Sequence, residues 1–155
     1  MLYKKLEIAD MPALRDLYFQ EESLKYDCNK TKSFDERICK VYSEMLSRGS
    51  YILGWFDTID NMLVGAITVN KCLDCYPGYE GNPYVHLETF IVHKEYQNKG
   101  IGTELLKKAI DFVISDGCTY ILMQSHNPAV IHIAKKVGLT ESLTDMRKDL
   151  VQESL

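Results

Sequence analysis

The 155-residue chain has no surplus of positive charge: 18 lysines and arginines stand against 22 aspartates and glutamates, a formal net charge of -4. That balance excludes the electrostatic footprint of a nucleic-acid binder, and any bias it sets favours a cationic partner. No stretch approaches the roughly 20 apolar residues of a membrane span, and the opening "MLYKKLEIADMPALRDL" has no uninterrupted apolar core of a leader peptide. The expectation is a cytoplasmic protein with no membrane partner. Internal repeats and low-complexity tracts are missing too, and with 46% hydrophobic and 26% charged residues the composition predicts one folded domain over 1–155. Cysteine is sparse and odd in number. Of Cys28, Cys39, Cys72, Cys75 and Cys118, only Cys72 and Cys75, in "CLDC", have metal-ligand spacing. No second such pair follows, so free thiols and no metal are expected.

What is present is a clear alternation of elements. "LYKKLEI" (2–8) reads as a strand, and Asp10 with Pro12 starts a helix running to about residue 26. "SFDERICKVYSEMLSRG" is a second helix, with Ser33 as N-cap, Glu36 completing a capping box and Gly49 as the stop. "SYILGWF" and "MLVGAITVN" form a hairpin around "DTIDN". The loop "KCLDCYPGYEGNP" then leads into the strand "YVHLETFIV". A helix follows "QNKGIG", with Leu105, Leu106, Ala109, Ile110, Val113 and Ile114 on one face. "CTYILMQS" reads as a central strand, "NPAVIHIAKKVG" as a helix capped by Asn127, and "LTESLTDMRKDL" as two short closing strands. The order predicts an α/β fold, one mixed sheet with helices on both faces.

The turn "QNKGIG" carries the chemistry. The first N–H groups of a helix lack intrahelical acceptors and lie at the positive end of its dipole. Gly100 and Gly102 let an anion approach the main chain, and Lys99 adds charge. The turn is not a Walker loop, because no Gly-Lys-Ser/Thr follows, and it lacks the third glycine of the dinucleotide fingerprint. Just upstream, His86 and Glu88 are two residues apart on a strand, so alternation puts them on one face together with Phe90.

Q-x-x-G-x-G after an apolar strand ending "FIV", followed by "CTYILMQSHNPAVIHIAKKVGL", resembles the GNAT superfamily of N-acetyltransferases. The match covers about residues 84–140. It implies a mostly antiparallel sheet of six to seven strands with splayed central strands, flanked by about four helices. It also implies acetyl-CoA as co-substrate. The pyrophosphate would lie on the main chain of Asn98, Lys99, Gly100, Ile101, Gly102 and Thr103, opened by Gln97. The pantetheine arm would run beside Phe90, Ile91 and Val92, and Asn127 would contact it or simply cap its helix. A bulge near Phe90 would free its N–H as donor to the thioester carbonyl.

The resemblance further implies transfer to a primary amine of a small molecule or peptide, with Glu88 as general base and His86 sharing or relaying that role. The plainer alternative is that Glu88 is a partly solvated strand residue and His86 a hydrogen-bonded structural one. Many members carry a tyrosine as acid to the leaving thiolate where this chain has Ala134, which leaves the proton donor open and keeps a CoA-binding sensor as the alternative. Tyr120 or a tyrosine of "CYPGYEGNPY" could replace it. Tyr18, Phe19, Tyr26, Tyr76, Tyr79 and Tyr84, with Glu21, Glu22, Asp74 and Glu80, suit an ammonium ligand and serve equally as core and solvated surface. Either a monomer or a homodimer paired through the closing strands fits the sequence.

Overall fold

A computed structural model of the chain describes residues 1–20, 31–75 and 77–141, with the backbone alone at 31–33. Five strands, β1 (Leu2–Lys5), β2 (Tyr51–Phe56), β3 (Leu63–Leu73), β4 (Pro83–Val92) and β5 (Ile121–Met123), form one sheet in sequence order. The first three pairings are antiparallel and β4–β5 is parallel. Helices α1 (Met11–Tyr18) and α2 (Thr31–Ser47) cover one face, while α3 (Ile101–Ser115) and α4 (Pro128–Lys136) cover the other. The strand count is slightly lower than expected. The two closing strands fall mainly at 142–155, outside the described residues, as do 21–26 of the first helix.

Each face has its own core. Leu6, Met11, Leu14 and Leu17 pack with Tyr42, Ile52, Ala66 and Ile91 on the α1–α2 side. Val85 and Leu87 pack with Ile101, Leu105, Leu106, Ala109 and Val113 on the α3 side. A fully buried leucine contributes roughly 1.5–3 kcal/mol, so the paired Leu105 and Leu106 alone anchor α3 firmly. Ile114, expected on that stripe, is 66% exposed: one residue on from buried Val113, it is rotated about 100° around the helix and off the apolar face. The rear of α3 is tied down by Asp116, whose carboxylate accepts from Tyr51 Oη at 3.0 Å and pairs with Lys71 Nζ at 3.1 Å. Burial alone would raise the Asp116 pKa, but the donors Lys71 and Tyr51 and the charge of Lys5 hold it below the usual carboxylate value.

Boundaries moved where local hydrogen bonding outcompeted the pattern. The first strand stops at Lys5, because Asp10 reaches back to the Glu7 N–H at 2.8 Å and winds Ile8–Asp10 into a 3-10 turn ahead of α1. The second helix already runs at Thr31, so Ser33 is inside it and not its cap. Gly49 does stop that helix, at φ 79°. β3 extends through Leu73, taking three residues from the expected loop. β5 keeps only three half-buried residues and is the last strand of the described sheet.

Two irregularities shape the site. In β4, Ala66 pairs with Ile91 and Thr68 with Glu88, so Ile67 faces both Thr89 and Phe90. The extra residue is a bulge, and Thr89 sits in it with a left-handed φ of 44°. Beyond it the alternation inverts: Phe90 and Val92 join the α3-side core and Ile91 the α1-side core. The second irregularity is that β4 and β5 pair only from Val85–Ile121 to Leu87–Met123. Past that point the two strands part, leaving residues 88–92 without a β5 partner.

Candidate active site

The wedge opened by that parting points at the start of α3. Gln97, Asn98, Lys99 and Gly100 are all exposed, and Asn98 (φ 58°) and Gly100 (φ 80°) both adopt the left-handed conformation. A Cβ built on Gly100 would meet nothing within 4 Å, so the approach to the main chain is open. No side chain among the described residues caps α3. The first intrahelical bond there is Glu104 N–H to Gly100 O at 3.1 Å, which leaves the N–H groups of Ile101, Gly102 and Thr103 without helical acceptors. These donors at the positive end of a 15-residue helix fit a diphosphate.

The other predicted residues of the turn do different work. Gln97 Nε2–H donates to Val92 O at 3.0 Å, tying the loop back to the end of β4. Ile101 is buried in the α3-side core. Gly102 lies against Phe90 and Ile133; a Cβ there would come within 3.2 Å of Phe90 Cζ. Its glycine therefore serves close packing. Asn127 caps α4, its Oδ1 accepting from Ala129 N–H at 2.9 Å.

Glu88 lies on the opposite face of the sheet from Phe90. The expected common face of His86, Glu88 and Phe90 holds only for the first two, because the bulge turns Phe90 toward α3. Glu88 is exposed, and its Oε2 accepts from Asn70 Nδ2–H at 2.7 Å. Thr68, directly opposite Glu88 across β3–β4, hydrogen-bonds with Tyr18 of α1, whose phenol is pushed up to about 12 mainly by burial. Glu88, Asn70, Thr68 and Tyr18 thus form a polar group beneath α1. His86 has other neighbours: it lies 5.7 Å from the Tyr84 ring and lines a cavity of about 620 Å³ with Leu122, Gln124, Ser125 and Ala134. Glu88 and residues 97–103 are not part of that lining.

Among the candidate proton donors, Tyr120 precedes β5 at the end away from the wedge. Its hydroxyl donates to Asp74 at 2.8 Å, which lifts its pKa to about 12. It also stacks on Tyr84, centroids 4.7 Å apart. Of the expected acceptor-side residues, Phe19 packs on Phe34, while Tyr79 and Glu80 are exposed in the β3–β4 loop. Glu21, Glu22, Tyr26 and Tyr76 lie outside the described residues. Cys72 is half-buried and Cys75 exposed, and among the described residues no three His, Cys, Asp or Glu side chains gather as a metal set. No described helix is long and apolar enough to cross a membrane. Asn70 and Tyr18 are the contributors that sequence reasoning missed or left unplaced. Asn70 had no local signal, since its partner is 18 residues away across a strand pair.

The fold has counterparts among solved structures. The structure is similar to an acetyltransferase of Trypanosoma brucei (18% identity, TM-score 0.77, covering 96% of this chain and 99% of that one). It is also similar to glucosamine-6-phosphate N-acetyltransferase from Arabidopsis thaliana (19%, TM-score 0.78, 97% and 98%). A predicted acetyltransferase from Clostridium acetobutylicum, solved with acetyl-CoA, matches at 12% identity and TM-score 0.75, covering 96% of each chain. At these identities the likeness concerns the fold. No curated protein matches the chain by sequence. The model of the acetyltransferase (GNAT) family, however, matches residues 11–139, and the chain belongs to that family, whose fold serves acyl transfer from acetyl-CoA.

Proposed function

We propose that the protein is an acetyl-CoA-dependent N-acetyltransferase that moves an acetyl group to a primary amine of a small molecule or peptide. The observation that carries this reading is the division of labour across β4. On one side an open, uncapped α3 start adjoins the wedge between β4 and β5; on the other a carboxylate, held by Asn70, faces α1. Acetyl-CoA supplies a reactive acyl thioester. The N–H groups of residues 101–103 and Lys99 hold its diphosphate, and the β4 segment 90–92 aligns the pantetheine arm by strand addition. The bulge interrupts the ladder at Phe90, whose N–H then donates to the thioester carbonyl as negative charge grows there.

The acceptor approaches from the α1–α2 side. Most amines are protonated at neutral pH, so a base must take a proton before attack. Glu88 does this, directly or through water, and the Asn70 amide fixes which oxygen faces the acceptor. His86 serves as a relay from the β5 side. The Arabidopsis relative is named for an amino-sugar phosphate, which fits a small-amine acceptor here.

A second reading, a CoA-binding sensor of the same fold, is favoured by Ala134 alone, since that position lacks a side-chain acid. The two separate by following thiol release from acetyl-CoA over a panel of amines. Glu88→Gln is expected to lower kcat by about 10²-fold with CoA affinity unchanged, the loss growing as pH falls and less free amine remains. Tight CoA binding with no amine-dependent thiol release would favour the sensor, and equal rates for Glu88→Gln and parent would remove Glu88 from the chemistry.

A further inference from the structure

The loop that carries Lys99 is braced from a part of the molecule with no evident part in catalysis. Tyr96 Oη donates to Asp57 Oδ2 at 2.7 Å. Asp57 follows β2, and it is itself fixed: its Oδ1 accepts from Ile59 N–H at 2.9 Å, and its N–H donates to Met62 O at 2.9 Å. His93 N–H donates to Val64 O at 2.8 Å, so the loop hangs on the same hairpin at a second point. The rings of Tyr96 and His93 meet at right angles, centroids 5.6 Å apart, and the Tyr96 ring carries Lys99 Nζ at 5.3 Å from its centroid. That distance is within cation–π range. An exposed lysine loses much rotamer freedom when it binds a phosphate, and a ring that already restricts it lessens that loss.

We propose that Asp57 and Tyr96 are positioning residues: the β2–β3 hairpin, through Tyr96, presents Lys99 at the mouth of α3 and so sets affinity for the phosphates of CoA. This rests on the acetyl-CoA reading above. The hydrogen bond to Asp57 also lifts the Tyr96 phenol to about 12.

The test is calorimetry with CoA and with pantetheine, which lacks the phosphates, on the full chain and four variants: Tyr96→Phe, Tyr96→Leu, Lys99→Met and Tyr96→Phe/Lys99→Met. Tyr96→Phe removes one oxygen and is expected to weaken CoA binding about two- to fivefold. Tyr96→Leu, which removes the shelf, should approach the loss seen in Lys99→Met. Because Tyr96 acts through Lys99, the double variant should bind CoA no worse than Lys99→Met alone, and pantetheine binding should not respond in any variant. Additive losses, equal losses for CoA and pantetheine, or a Tyr96→Phe protein that binds CoA like the parent would each overturn the brace. A parent protein that binds no CoA would instead sink the acetyltransferase reading itself, so the two failures are distinguishable.

Discussion

Helices α3 and α4 both follow a strand of the wedge, and both of their N-termini were candidates for contact with the cofactor, yet they begin in opposite ways. At α4 most backbone needs are met from within: Asn127 Oδ1 takes the Ala129 N–H, Pro128 has no N–H to satisfy, and Ser125 Oγ accepts the Asn127 N–H at 3.1 Å, so that of the first turn only the Val130 N–H has no acceptor within the helix. At α3 a left-handed glycine stands in the cap position, no described side chain bonds to the first turn, and three N–H groups are left over. A helix start that meets most of its own hydrogen bonding has few donors left for an anion. One that leaves it incomplete beside an open cleft is available to an anion, and the difference of one residue, asparagine against glycine, decides which.

The sharpest way to break this contrast is Gly100→Asp. The open space around Gly100 admits the side chain, but the carboxylate would occupy the phosphate position, and CoA affinity is expected to fall about 100-fold or more. A left-handed φ of 80° strains most non-glycine residues, so Gly100→Asn, which tolerates that conformation better than most and carries no charge, is the control. It should bind CoA within about fivefold of the parent by calorimetry. Unchanged CoA binding in Gly100→Asp would mean that α3 holds no phosphate.

At the other helix the effect should be on stability and not on the ligand. Asn127→Ala removes the α4 cap at a cost of about 1 kcal/mol. That corresponds to a fall in Tm of about 2–4 °C for a chain of this size, with CoA affinity changed less than about threefold. A tenfold loss of CoA affinity at constant Tm would reverse the assignment and make Asn127 a ligand contact.

Features carried by short-range pattern were legible in the sequence: the strand–turn–helix at "FIVHKEYQNKGIG", the "DTIDN" hairpin, the Asn127 cap, and the helices on both faces. Those that escaped depend on a single inserted residue or on distant partners. "HLETFIV" alternates evenly on paper, and nothing in it marks Thr89 as the extra residue that sends Phe90 to the far side from Glu88. The Asn70–Glu88 and Asp57–Tyr96 hydrogen bonds join residues 18 and 39 positions apart, set by strand pairing and loop packing and not by any local spacing. The turn could thus be found from glycine spacing, while the scaffold that aims it could not.

The contrast also runs within the first turn of α3. Gly100 faces open space, but Gly102 has an ordinary helical φ, and a Cβ there would lie 3.1 Å from Ile133 Cδ1 and 3.2 Å from Phe90 Cζ. Both neighbours are side-chain tips able to shift by a few tenths of an ångström, and alanine recovers some of the roughly 1 kcal/mol that glycine costs a helix. Gly102→Ala is therefore expected to change stability by less than about 1 kcal/mol in either direction. CoA affinity should stay within about twofold, because the added methyl points at α4 and the bulge, away from the donors. The sensitive readout is kcat, since displacing the Phe90 ring disturbs the bulge that presents its N–H. A CoA loss as deep as that of Gly100→Asp would show that both glycines border the anion, and packing of α3 against β4 would no longer account for the second one.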